Sequence, residues 1–275
     1  MMVSKENPYV CVSGPSTKEE VVELISLFRF YGMNKESEPM ASLGFQCSKK
    51  VLTFGHSEGN KRMPHINRLP ELLREAQGSV FSVLHYYTPD TTGVFSDIAR
   101  VLEMNDIYSR GLLNGLQLNG LYPSPNGPAQ VQKIKKAYPE MKIILQVKPN
   151  SASGMAADQA ASNLVSNYYE NIDYIILDAS GGMGKMMDVK AASEAFAALC
   201  ANGFDKGITF AGGLNGENVY KTMLFINQAI GTNQFSIDVE GGIRVKVGEG
   251  NNNDVLVMKS AALYLRGAAE AYMRM

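Results

Sequence analysis

Apolar residues along the chain come in two alternating rhythms. Short runs rich in β-branched and aromatic residues fall at 9–13, 42–47, 80–86, 113–118, 143–147, 174–177, 208–211 and 235–239. They read as strands buried on both faces. Helical spacing fills the intervals. Ser16 and Glu19 make a capping-box pattern ahead of Val21, Leu24, Ile25 and Phe28. Further helices are expected after Pro128, over 189–201, after Asn215 and over 253–271. Eight strand–helix units in series, with no block of strands alone, predict an α/β fold. The architecture expected is a closed, parallel, eight-stranded (β/α)8 TIM barrel, with residues 1–275 as a single domain. An open doubly wound sheet is the competing arrangement. Residues 48–64 read as a long polar loop after the second strand, and 245–253, with its Asn run, as another.

Side chains alternate across a strand. Val10 and Val12 suit the helix-facing side, so Cys11 and Ser13 should face the lumen, Ser13 nearer the mouth. Ile176 and Asp178 should point inward from strand six. On strand eight Ser236, Asp238 and Glu240 share one face, and Phe235, Ile237 and Val239 the greasy one. Closure sets strand eight beside strand one, which brings Glu240 near Ser13 with Asp178 across the mouth. Carboxylates on two sides of one cavity suit proton transfer to and from one substrate. Three late strands also run into glycine pairs, Gly181-Gly182, Gly212-Gly213 and Gly241-Gly242. Bare backbone at a strand's end can aim N–H groups at an anion, so these turns are read as a phosphate cradle.

Composition narrows the field. A hydrophobic content of 45% in 275 residues supports a sizeable core. The net charge of −1, without a basic stripe, gives no reason to expect a nucleic-acid partner. No apolar stretch reaches the roughly 18–20 residues that cross a bilayer, so no membrane partner is expected. The polar start is not a signal peptide. Cys11, Cys47 and Cys200 lack ligand spacing and suggest a reducing, cytoplasmic setting. His56, His65 and His85 also lack metal spacing, so no metal is expected. Lys148, at the end of strand five, can pair with a substrate or attack a carbonyl as a Schiff-base lysine. Met186-Met187 can close an apolar lid.

The motifs resemble those of the phosphoribosylanthranilate isomerase family, among the ribulose-phosphate-binding barrels. Ala211-Gly-Gly-Leu-Asn-Gly-Glu-Asn-Val219 is similar to that family's GGLNPENV turn after strand seven. Leu177-Asp178 with Gly181-Gly-Met-Gly-Lys185 and Asp188 resembles its LLD and GGSGK segment. Asp238-Val-Glu-Gly-Gly242 resembles its DVSSGVE phosphate loop, and Leu116-Gln-Leu-Asn-Gly120 its VQLHG strand. Val12-Ser13-Gly14, with Thr17 and Glu19-Glu20, is similar to its KICGIT start. Lys61-Arg62 stands where the family has an arginine for the anthranilate carboxylate.

The resemblance implies an Amadori aldose–ketose isomerisation of an N-linked ribose 5-phosphate, as in tryptophan biosynthesis, without a cofactor. Asp178 takes the position of the acid that protonates the ring oxygen. Ser13 stands where the family has its cysteine base, and a serine hydroxyl needs a neighbour to deprotonate it. Glu240 is one replacement base. Cys11, roughly 6–7 Å deeper, is another. Gly212, Gly213, Asn215, Asp238, Gly241, Gly242, Gly182, Lys148 and Arg62 complete the expected phosphate and substrate contacts. A sugar-phosphate lyase or aldolase on the same barrel, or a non-catalytic phosphate-ligand binder, remains open. So does the choice between monomer and homodimer.

Overall fold

The computed structural model describes residues 4–57, 59–147, 157–178, 186–249 and 253–275. Eight parallel strands close into a barrel in sequence order. They are β1 Tyr9–Ser13, β2 Met40–Ser48, β3 Phe81–Tyr87, β4 Gly115–Asn119, β5 Lys142–Val147, β6 Tyr174–Asp178, β7 Gly207–Ala211 and β8 Ser236–Val239. Closure sets β8 against β1, with Cys11 opposite Asp238. The described helices are α1 Lys18–Phe30, α2 Lys49–Phe54, α3 Leu69–Ala76, α4 Val94–Glu103, α5 Gly127–Ala137, α6 Ala157–Tyr168, α7 Val189–Ala201, α8 Val219–Ile230 and α9 Met258–Tyr272. None of them is long and apolar enough to cross a membrane. The open doubly wound alternative is excluded by the closure.

Strand alternation splits the interior into two cores. Val10, Val12, Leu43, Phe45, Leu84, Leu116, Leu145 and Ile175 face the helices in one cluster. Tyr9, Cys11, Phe81, Val83, Ile144, Tyr174, Ile176 and Ala211 fill the lumen in another. The lumen floor is aromatic. The Tyr9 and Tyr174 rings meet edge to face at 5.3 Å, and Phe81 lies 5.9 Å from Tyr9. Glycines on neighbouring strands make room for these rings. A Cβ on Gly207 would stand 2.0 Å from the Tyr174 ring, and one on Gly115 3.1 Å from Phe81. Tyr9 also ties β8 and β7 to β1: its amide donates to Ser236 Oγ at 2.9 Å, and its hydroxyl accepts from Thr209 Oγ1 at 2.8 Å.

Four local expectations are corrected. The capping box of α1 is Thr17 with Glu20, one residue later than Ser16 with Glu19. Glu20 Oε2 accepts from both the Ser16 and Thr17 amides, which Glu19 does not. Residues 48–64 are not all loop, because Ser48 caps α2 and Val51 and Leu52 are buried beneath it. Residues 245–253 are not all loop either, because Val245 and Lys246 belong to an antiparallel ribbon, β9 Arg244–Lys246 with β10 Asp254–Leu256. The last helix therefore starts at Met258, since Asp254 and Leu256 are buried in that ribbon.

Gly207→Ala drives a methyl into the Tyr174 ring. Overpacking of a filled lumen should lower unfolding free energy by about 1–3 kcal/mol in urea titration. An unchanged midpoint would show that the floor can relax around it.

Candidate active site

The C-terminal mouth of the barrel gathers polar side chains that lie above the apolar floor. Ser13 Oγ donates to Asp238 Oδ1 at 2.7 Å, and Cys11 Sγ lies 3.5 Å from Ser13 Oγ. His85 leans over from β3 because Gly44, on β2 between them, has no Cβ. That missing atom would stand 2.4 Å from His85 Nε2 and 2.5 Å from Ser13 Oγ. Potential ligand atoms of Cys11, His85 and Asp238 all lie within 4.8 Å of one another. Among the described residues this is a donor set that could close around a small cation.

Burial dominates the electrostatics here. It pushes the Asp238 carboxyl up to about 7; the Ser13 hydrogen bond opposes this, and the charges of Glu240 and Asp178 reinforce it. Burial, then the Asp238 charge, puts the Cys11 thiol well above its usual range. A thiol so placed stays protonated near neutrality, which weighs against Cys11 as a base. Burial alone lowers His85 to about 3, so its ring is neutral at physiological pH.

Asp178 stands across the mouth at the end of β6, and it is buried. Gln146 Nε2 donates to its Oδ2 at 2.9 Å, and Gln117 Nε2 reaches Gln146 Oε1 at 3.4 Å. Ala211 on β7 lies in register with both Asp178 and Asp238. The two aspartates thus flank one small residue on an intervening strand. At about 4.8 Å per strand, their backbones are roughly 10 Å apart.

An ionic network covers the β8 side of the mouth. Arg62, in the segment after β2, donates from Nη1 to Glu240 Oε1 at 2.5 Å and from Nε to Asp254 Oδ1 at 3.0 Å. Arg244 joins it through Asp254 at 3.2 Å and also donates to the Gly14 carbonyl. Burial works to raise the Asp254 carboxyl, but Arg62 and then Arg244 outweigh it and hold it below its ordinary value. Glu240 has its second oxygen filled as well, by Gln46 Nε2 at 3.0 Å. Sequence reasoning set Glu240 beside Ser13 as a base and gave Arg62 to a substrate. In the structure these two side chains hold each other.

The glycine turns after β7 and β8 abut. Gly212 and Gly213 have φ of 115° and 65°, open only to glycine without strain. A Cβ on Gly242 would stand 1.9 Å from the Leu214 carbonyl oxygen. One on Gly241 would stand 4.0 Å from Arg62 Nη2, so the guanidinium overlooks the β8 turn. Asn215 serves the entry to α8: its Oδ1 accepts from the Glu217 and Asn218 amides at 2.8 and 3.1 Å. Lys148, Gly181 and Gly182 lie outside the described residues.

Sequence reasoning assigned no catalytic or substrate-binding role to Gln46, Gln117, Gln146, Arg244, Asp254 or His85. A signal existed for the glutamines. Each is a polar residue at an inward position with an apolar residue on either side along its strand.

No protein-family model matches the sequence, and no curated protein matches it by sequence. Solved structures match it in fold. The N-(5'-phosphoribosyl)anthranilate isomerase of Pyrococcus furiosus is similar at a TM-score of 0.60 with 17% identity, over 96% of this chain and 100% of that one. The phosphoribosyl anthranilate isomerase of Thermus thermophilus is similar at 0.61 with 16% identity, over 95% and 98%. The orotidine 5'-monophosphate decarboxylase of Methanocaldococcus jannaschii is similar at 0.52 with 11% identity, over 100% and 98%. The barrel is shared with sugar-phosphate enzymes.

Asp238 has a pH signature. Its folded pKa is raised, so its contribution is fully present below the ordinary carboxylate range and is lost as pH climbs to about 7. His85 slopes the other way, because its pKa is lowered to about 3 and stability is lost as pH falls below about 6.5. Asp238→Asn should therefore stabilise the protein at pH 8, by up to about 4 kcal/mol, and leave almost no gain at pH 4. Thermal melts across that range decide it. A gain equal at both ends would mean the carboxyl is not buried as an acid.

Proposed function

We propose that this barrel is a proton-transfer enzyme acting on a phosphorylated sugar. The reaction is an aldose–ketose isomerisation of an N-linked ribose 5-phosphate, most simply phosphoribosylanthranilate. The observation that carries the reading is the pair of buried carboxyls, Asp178 and Asp238, on either side of Ala211. The turns at Gly212-Gly213 and Gly241-Gly242 beside it suit a phosphate, with Arg62 at their edge. Similarity in fold to two phosphoribosylanthranilate isomerases supports the substrate class.

In this reading Asp178 gives a proton to the ring oxygen, and the bond from that oxygen to C1 breaks to leave a C1–nitrogen iminium. Asp238 removes the C2 proton, and the electron pair forms the C1–C2 double bond of an enol amine. The enol oxygen then returns a proton to Asp178 while Asp238 delivers its own to C1. The product is the ketose, and both carboxyls are restored. The role of base thus moves from Glu240 to Asp238, which has a pKa suited to gaining and losing a proton near neutrality. Ser13 donates to Asp238 and positions it, so this position needs no thiolate. Glu240, held by Arg62 and Gln46, keeps the arginine over the glycine turn.

The test is consumption of phosphoribosylanthranilate by the purified chain, followed by fluorescence, with complementation of an auxotroph lacking the isomerase. Asp178→Asn and Asp238→Asn should each lower kcat by about 10²- to 10⁴-fold. Absence of turnover by soluble wild-type protein would remove the isomerase assignment. A sugar phosphate that then still raised the melting temperature would mark a binding protein.

A further inference from the structure

We propose that His85 is a third catalytic residue, a neutral Nε2–H donor to the substrate oxygen on C2. This rests on the isomerase reading above and adds to it the group that stabilises the developing charge.

The tautomer follows from a chain of contacts that starts at the rim. Glu240 is held by Arg62 through one oxygen, and its other oxygen accepts from Gln46 Nε2 at 3.0 Å. A carboxylate in an arginine ion pair is an acceptor, so the Gln46 amide must present its NH2 group there. The same nitrogen lies 3.4 Å from His85 Nδ1. Its second hydrogen points to that ring nitrogen, which must then be the bare acceptor. The proton of a neutral imidazole is left on Nε2.

Nε2 is also the ring nitrogen that borders the space left by Gly44, as Ser13 Oγ does from β1, and the ring is close to Asp238 and Cys11. A substrate whose C2 hydrogen meets Asp238 has its C2 oxygen within reach of this donor. When the enol amine loses its hydroxyl proton, negative charge gathers on that oxygen. A fixed neutral donor in a dry site stabilises the charge without surrendering its own proton. An imidazolium would pair with Asp238 instead and weaken it as a base. Burial, which keeps the ring neutral, suits the donor role.

The experiment uses the full chain with phosphoribosylanthranilate. His85→Leu should lower kcat by about 100-fold with KM within about threefold, and His85→Gln, which keeps an N–H donor, should recover about tenfold of the loss. Nitrogen-15 NMR of the wild-type ring should show the Nε2-protonated tautomer from pH 5 to 8, a measurement that needs no variant to fold. Three results overturn the proposal. They are a proton on Nδ1, turnover by His85→Leu equal to wild type, or loss of the Nε2–H signal on adding stoichiometric Zn²⁺ together with a gain in activity. The last would make the Cys11–His85–Asp238 group a metal site. If the wild-type chain itself does not turn over, the isomerase reading fails and the catalytic role of His85 falls with it; if wild type turns over and only the His85 results disagree, the isomerase reading stands alone.

Discussion

Asp238 is a carboxyl group carried into the lumen of a closed barrel, where Ser13 donates a hydrogen bond to it. Desolvation of a carboxylate is costly, so the carboxyl resists ionisation. The barrel imposes this. Closure puts Cys11 opposite Asp238, and the alternation that sends Val239 and Ile237 into the helix layer sends Asp238 inward. Replacing the aspartate would relieve the cost of burying it, and the proposed reaction gives that cost a use.

Among the described residues, the arginines of the mouth are bound away from Asp238. Arg62 and Arg244 share Asp254, Arg62 takes Glu240, and Arg244 is anchored on the Gly14 carbonyl. Charge neutralisation is thus completed one layer above, within the rim. A guanidinium dropped onto Asp238 would pull its pKa down and spoil it as a base near neutrality. The ribbon of β9 and β10 supplies Arg244 and Asp254, so an insertion after β8 builds the part of the rim that the barrel strands do not.

Much of the architecture was legible in the chain. Strand positions followed from short β-rich runs, because strands buried on both sides have few polar residues to disguise them. The inward faces of β1, β6 and β8 followed from alternation once closure was assumed. Helix starts were less legible. Ser16-Thr17-Lys18-Glu19-Glu20 contains two overlapping capping boxes, and only the reach of Glu20 to two amides selects between them. The short α2 was hidden because its polar residues outnumber the two, Val51 and Leu52, that it buries. The partners of each site residue were the least legible. Asp238 was placed on the right face and counted among the phosphate and substrate contacts, since local sequence does not say that its carboxyl reaches Ser13.

His85 shows why the chemistry of a barrel mouth resists sequence reading. Its neighbours Ser13, Gly44, Gln46 and Asp238 come from β1, β2 and β8, and no spacing rule joins positions so far apart. The residue that makes the arrangement possible is a glycine with no functional atom at all. Gly44 reads in sequence as a weak point in a strand. In the barrel it is the gap through which an imidazole from the next strand approaches Ser13 on β1. A serine at the family's cysteine position then ceases to be a defect. In the proposed reaction the hydroxyl has only to hold Asp238 in place, and the proton transfer that a thiolate would perform passes to a carboxylate that burial has made more basic.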